Sequence, residues 1–183
     1  GDNAGAVAQF SAAIELDDSV AALWGNRGKA YGRLGDFSRA VTDLTRAIQL
    51  APTDADYWFN RGVAYEHAGN LVSALSDYSE SIRLAPTDAT MWRASGVVYH
   101  DMGEHVRAIA DCTEALRLDP AFANAWQTRG NAHRKMGQFS EAIADHTAAI
   151  RLQPTNSEHW HNRGAARAEA SDHRGAIRDY NSA

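Results

Sequence analysis

The chain of 183 residues has one cysteine, Cys112, so an internal disulfide is excluded and no redox compartment is indicated. No run of about 18 apolar residues occurs, so we expect no membrane span. We also find no signal peptide, and a cytoplasmic location is favoured. Lysine is nearly absent, with Lys29 and Lys135 alone, and the formal net charge of -5 is spread evenly along the chain. We therefore expect no nucleic-acid partner, because phosphate binding needs a clustered basic face.

Proline and tryptophan are also few, but their positions are regular. Both recur every 34 residues, at Pro52, Pro86, Pro120 and Pro154 and at Trp24, Trp58, Trp92, Trp126 and Trp160. A fixed period of this length is typical of a repeat array. We therefore predict a single array over 1–183, with a half repeat at 1–20, full repeats at 21–54, 55–88, 89–122 and 123–156, and a truncated fifth repeat at 157–183.

Each repeat has the hydrophobic spacing of two helices. In the second repeat, Trp58, Gly62 and Tyr65 lie on one face of a first helix, and Gly69 ends it. A second apolar series follows and stops at Pro86. The pattern predicts an all-α chain of helical hairpins, preceded by a lone helix at roughly residues 3–16.

Small residues predict where the two helices of a hairpin approach each other. A glycine recurs midway along each first helix and an alanine on each second helix. Glycine costs about 1 kcal/mol against alanine in a helix, so close backbone packing is the reason that we infer for it. The positions are Gly28, Gly62, Gly96, Gly130 and Gly164, with Ala40, Ala74, Ala108, Ala142 and Ala176.

The combined pattern resembles the tetratricopeptide repeat (TPR) family. The signature is W-x3-G-x2-Y, a turn glycine, A-x3-[LY]-x2-[AS] and a proline, and it covers essentially the whole chain. The resemblance implies a right-handed superhelical solenoid of antiparallel helix hairpins, in which first helices line a concave groove. It also implies a protein-interaction scaffold without catalysis.

An arginine and an aspartate recur sixteen residues apart, on the first and second helices of a repeat. A guanidinium can hold a carboxylate through two hydrogen bonds, so we predict a pair that joins the helices. Four repeats carry the arginine, at Arg27, Arg61, Arg129 and Arg163. The third repeat has Ser95 instead, which leaves Asp111 without an arginine.

Asparagines two residues after tryptophan are candidate groove residues: Asn26, Asn60 and Asn162. In some TPR superhelices a ladder of asparagines at this position binds an extended peptide, whose backbone an amide matches with a donor and an acceptor. Ala94 and Thr128 interrupt the ladder here. The alternative is that these asparagines are solvated residues of the repeat consensus.

By the family's geometry, apolar residues and charged residues of both signs, in similar number, line the predicted groove. We assign peptide contacts to Lys29, Phe59, Val63 and Arg93, and Arg33 and Glu66 also face inward. The set that clamps terminal carboxylates in some TPR domains is not reproduced, because Ala94 and Val97 follow Lys29 and Asn60. For the apolar positions the alternative is ordinary packing between neighbouring first helices.

Histidines in the fourth repeat, His133 and His146, and Cys112 in the third raise the question of zinc. The sequence has no tight ligand pair such as CxxC or HxxxH and no evident fourth ligand. It also has no nucleophile elbow, phosphate loop or pair of carboxylates on a defined face. We therefore assign no metal, no cofactor and no catalytic residue.

Two functions remain open at this point. The first is a non-catalytic scaffold that holds an extended peptide or partner segment in its concave groove. The alternative is a structural array whose ends stack on further repeats, on a missing catalytic domain or on copies of itself. That alternative includes end-to-start self-association.

Overall fold

The computed structural model describes residues 2–183, and this part of the chain contains eleven helices and no strand. The all-α prediction is confirmed, and so is the lone first helix. The helices are α1 (Asn3–Leu16), α2 (Ala21–Arg33), α3 (Phe37–Leu50), α4 (Ala55–His67), α5 (Leu71–Leu84), α6 (Ala89–Asp101), α7 (His105–Leu118), α8 (Ala123–Lys135), α9 (Phe139–Leu152), α10 (Ser157–Glu169) and α11 (His173–Tyr180). Within residues 2–183 no helix is both long and apolar enough to span a bilayer.

The chain divides into two compact units, one up to Thr87 and one over Asp88–Ala183. In the first unit, α2 packs on α3 and α4 on α5, while α1 packs on α2 and α3 on α4. The second unit repeats this arrangement with the hairpins α6–α7, α8–α9 and α10–α11, joined through α7–α8 and α9–α10. Neighbouring first helices also touch within each unit, since α2 contacts α4, and α8 contacts both α6 and α10.

The turn between the two helices of a hairpin requires a left-handed residue. Gly35, Gly69, Gly103 and Gly137 take φ values between 74° and 80° there, which glycine adopts without steric cost. In the last hairpin Ser171 occupies this place with a φ of 65°. Side chains of Asp or Asn cap most of the helices that follow a turn or loop, as Asp36 does for α3.

The mid-helix glycines allow the close approach that their spacing predicts. A Cβ atom on Gly62 would lie 2.7 Å from the Tyr78 ring and 3.3 Å from the Ala74 carbonyl oxygen. The same glycine position in the other hairpins meets Leu44, Cys112, His146 or Tyr180 at 2.7–2.9 Å. The second helix therefore packs directly against the backbone of the first.

The predicted arginine–aspartate pairs form in four hairpins. Arg61 donates from Nε and Nη2 to the two carboxylate oxygens of Asp77, at 2.7 and 2.8 Å. Its Nη1 donates to the Thr45 hydroxyl of the preceding second helix at 3.0 Å, and its guanidinium lies 5.0 Å from the Trp58 ring centre. Arg27, Arg129 and Arg163 make the equivalent contacts. Each guanidinium thus joins three helices.

The tryptophans are half-buried, and four of them have a resolved hydrogen bond from the indole to the preceding loop. The Trp58 Nε1–H donates to the Pro52 carbonyl oxygen at 2.9 Å. Trp126 and Trp160 donate to Pro120 and Pro154 at the same distance, and Trp24 donates to Asp18. These rings fix the entry of the chain into the first helix, which supports a structural role.

Candidate functional site

A pocket of about 330 Å³ lies in the first unit, between the first helices α2 and α4 and above α3. Its floor is apolar, and the rim carries cations and an amide. Such a combination is typical of sites that bind a small molecule or a side chain of a partner. The lining residues are Gly28, Lys29, Gly32, Arg33, Phe37, Ala40, Leu44, Asn60, Val63, Ala64 and His67.

Gly32 is what leaves the pocket open. A Cβ atom built on this glycine would have no heavy atom within 4 Å, unlike one on Gly28, which would lie 2.8 Å from Leu44 Cγ. These two glycines therefore have different roles, because Gly28 allows close helix packing and Gly32 faces empty space. The same position of the later repeats holds Glu66, His100, Arg134 and Ala168.

The pocket rim carries two cations without partners. Lys29 and Arg33 lie one helical turn apart on α2, and within residues 2–183 no ion pair or hydrogen bond from either side chain is found. Other arginines of this unit are engaged, since Arg39 pairs with Asp36 and Arg83 with Glu80. The rim therefore presents uncompensated positive charge in a chain whose net charge is negative.

The opposite wall belongs to α4. Asn60 donates from Nδ2 to the Asp56 carbonyl oxygen at 2.5 Å, and no hydrogen bond to its Oδ1 is found among residues 2–183. His67 stacks on Phe37 with the ring centres 5.2 Å apart and an angle of 16° between the planes. The Glu66 carboxylate next to it accepts a hydrogen bond from the Tyr78 hydroxyl at 2.5 Å.

The structure brings together only some of the residues that the sequence suggested. Lys29, Asn60 and Val63 line one pocket, whereas Asn26 lies exposed on α2 outside it. Phe59 is half-buried, and its ring packs 5.5 Å from that of Tyr78 in its own hairpin. The remaining two residues belong to the second unit, which is described separately.

In that unit, Arg93 and Asn162 lie on α6 and α10. The Arg93 guanidinium lies 5.6 Å from the Phe122 ring centre, and its buried Nε has no hydrogen-bond partner among residues 2–183. Asn162 is half-buried, with no hydrogen bond from its side chain in this part of the chain. Neither residue belongs to the pocket of the first unit.

Two buried titratable groups of the second unit, Cys112 and His146, keep their uncharged forms at neutral pH. Burial raises the pKa of the Cys112 thiol to about 12, so the thiol stays protonated. Burial likewise lowers the pKa of His146 to about 4, and nearby Arg134, His159 and Arg163 add to that shift. Among residues 2–183 no group of three or more His, Cys, Asp or Glu side chains could hold a metal ion.

Ser95 in the third repeat changes the environment of Asp111. Burial raises the pKa of this carboxyl, and the hydrogen bond from Ser95 offsets the rise only in part. The aspartates of the other complete hairpins have an arginine instead. The predicted difference of the third repeat is therefore real.

Sequence reasoning did not single out four residues of the pocket: Gly32, Phe37, Ala64 and His67. The signal for Gly32 was present, because only the first repeat has a glycine at that position. The stacking of His67 on Phe37 had no such signal, because it depends on the side-chain directions of two successive repeats.

Comparison with known proteins agrees with this architecture. The tetratricopeptide repeat family matches residues 26–89, 73–121 and 123–156. The chain therefore belongs to the tetratricopeptide repeat family, a class of helical protein-interaction scaffolds that are generally non-catalytic. No curated protein matches the sequence.

Solved structures show the same fold. MamA from Desulfovibrio magneticus RS-1 is similar with a TM-score of 0.82 at 20% identity, covering 88% of this chain and 91% of that one. YrrB, described as a TPR protein with an unusual peptide-binding site, has a TM-score of 0.77 at 18% identity, covering 94% and 89%. The Cut9–Hcn1 structure of APC/C has a TM-score of 0.82 at 19% identity, covering 99% of this chain and 36% of that one.

Proposed function

We propose that this protein binds a partner segment on the first helices of its first unit, and that the pocket beside Gly32 receives a side chain of that segment. The observation that carries the proposal is the open space at Gly32, between Lys29 on one wall and Asn60 and Val63 on the other. An empty apolar floor favours burial of an apolar side chain, because burial removes its surface from water.

Only some of the groove residues that the sequence suggested belong to the proposed binding pocket. Lys29, Asn60 and Val63 form its centre, and exposed Asn26 offers a flanking amide on the same helix. Contacts of the partner with Phe59, Arg93 and Asn162 remain predictions outside the pocket. The peptide-binding site described for YrrB supports a peptide as the ligand, by analogy of fold.

The substitution Gly32→Leu tests the pocket without damaging the fold. The new side chain enters open space, and replacing a helical glycine raises helix propensity by up to about 1 kcal/mol. We expect a random peptide library to yield binders for the unchanged protein, and those binders to lose most of their affinity for the Gly32→Leu variant.

Ala22→Leu is the matched control, because it adds the same side chain to an exposed position of α2 outside the pocket. Binders should keep their affinity for it. Selected peptides that bind Gly32→Leu as well as the unchanged protein would place the interaction elsewhere and overturn the proposal.

A further inference from the structure

We propose that the pocket beside Gly32 selects a bulky apolar residue with an acidic residue on each side, a segment of the form acidic–apolar–acidic. This inference rests on the proposed function and adds the chemistry of the partner. It combines three observations: an apolar floor, two unpaired cations on the rim, and their spacing along α2.

The apolar floor sets the central residue. Phe37, Leu44 and Val63 line the pocket, together with the small residues Ala40 and Ala64. None of these offers a side-chain hydrogen bond, so a polar side chain placed among them would lose its hydration without compensation. A leucine-sized apolar side chain fits the chemistry of this floor.

The cations on the pocket rim determine the charge expected for the residues on each side of the apolar one. Lys29 and Arg33 have no ion pair among residues 2–183, so a carboxylate can reach either without displacing an existing partner. Asp36, the nearest acidic residue in sequence, is paired with Arg39, and the Glu66 carboxylate on α4 accepts a hydrogen bond from Tyr78. No later repeat carries cations at both of these positions.

The separation of Lys29 and Arg33 along α2 determines which residues of the segment should be acidic. Residues four apart on a helix are separated by about 6 Å along its axis. In an extended peptide, residues two apart are separated by about 6.6 Å and project to the same side, opposite to the residue between them. When the central residue enters the pocket, its two neighbours lie at the mouth with their side chains directed away from the floor. Their spacing matches that of Lys29 and Arg33, whose long, flexible side chains meet the two carboxylates by extending outward past the rim.

The test uses short peptides with acetylated and amidated ends, a Gly-Ser background and the centre Glu-Leu-Glu, titrated into the whole chain and followed by NMR. We expect replacement of both acids by Gln to weaken binding about tenfold or more, since charge-assisted contacts are the stronger hydrogen bonds. Glu-Ala-Glu should bind about tenfold more weakly as well, because it leaves the pocket empty. Moving each acid one residue outward should also weaken binding.

The protein variants Lys29→Gln and Arg33→Gln should each weaken Glu-Leu-Glu, and together they should remove the preference over Gln-Leu-Gln. Arg46→Gln is the matched control: it removes a cation that lies outside the pocket, and affinity should not change.

Equal affinity for Glu-Leu-Glu and Gln-Leu-Gln would overturn the acidic preference and leave pocket binding intact. In that case the library binders would lack acidic residues and would still bind Gly32→Leu more weakly than the unchanged protein. Absence of shifts with every peptide at millimolar concentration would also overturn the inference. Library binders insensitive to Gly32→Leu would then show that the proposed function had failed as well.

Discussion

His146 is a fully buried histidine whose two ring nitrogens have no hydrogen-bond partner among residues 2–183. It packs over Gly130, where the first repeat has Leu44 and the second has Tyr78. A charged imidazolium there would be costly, which is the reason that its pKa is lowered from 6.5 to about 4. The residue is therefore a source of acid sensitivity in the core of the fourth repeat.

We predict that His146→Leu makes stability less dependent on pH between about 6.5 and 4. In this window the unfolded chain binds a proton at His146 and the folded chain does not, so stability falls as the pH falls. The loss amounts to roughly 3.5 kcal/mol at most, at about 1.4 kcal/mol per pKa unit. Urea unfolding at several pH values measures it, with exposed His173→Gln as control. A variant that keeps the full acid dependence would contradict the assignment.

At the scale of elements, the turn between α10 and α11 departs from the other turns. Ser171 takes the left-handed conformation that glycines take in four hairpins, with a φ of 65°. A non-glycine residue in this region is strained by roughly 1–2 kcal/mol through its Cβ atom. The strained residue precedes α11, which is the shortest of the second helices in residues 2–183.

We predict that Ser171→Gly raises the free energy of unfolding by about 0.5–1 kcal/mol, because it removes this strain at a small cost in chain entropy. Thermal unfolding measured by circular dichroism detects the change. Gly137→Ser is the reverse substitution in the preceding hairpin and should destabilise by a similar amount. A loss of stability in Ser171→Gly would mean that the serine side chain stabilises the turn.

The sequence predicted these elements well because the repeat imposes one set of contacts many times. Gly62 and Asp77 could be assigned to packing and pairing from their spacing alone, and the structure confirms both. The pocket was harder to predict, because it depends on a departure from the repeat at Gly32. The direction of Phe59, toward Tyr78, depends on side-chain packing that spacing does not determine.

At the scale of the whole molecule, the contacts between consecutive hairpins of a unit are equivalent. Arg129 donates to Thr113 of the preceding second helix at 3.1 Å, and Arg163 donates to Thr147 at 3.1 Å. In such arrays each repeat interacts chiefly with its neighbours, so stability is a sum of local terms. Deletion of one whole repeat should then leave a folded protein, because the helices after the deletion keep their places in the 34-residue period.

We predict that deletion of residues 123–156 leaves a folded helical protein. Arg163 then takes the place of Arg129 and meets Thr113. The denaturant m-value should fall by roughly a fifth, in proportion to the surface that unfolding exposes. Deletion of 123–139, half a period, is the control: it removes α8 and puts the later helices out of register, so the m-value should fall further than for the full-repeat deletion. Loss of helix in the full-repeat deletion would show that the fourth repeat is not interchangeable with its neighbours.

Four indoles have the same kind of hydrogen bond and the same kind of arginine neighbour, and this similarity has a spectroscopic consequence. Trp24, Trp58, Trp126 and Trp160 each donate to a loop carbonyl at 2.9 Å and each face an arginine at 4.7–5.0 Å. Their indole N–H protons lie in matched surroundings, one in each of the four repeats. Exchange of those protons with deuterium would therefore report the opening of each repeat separately, without any label added to the chain.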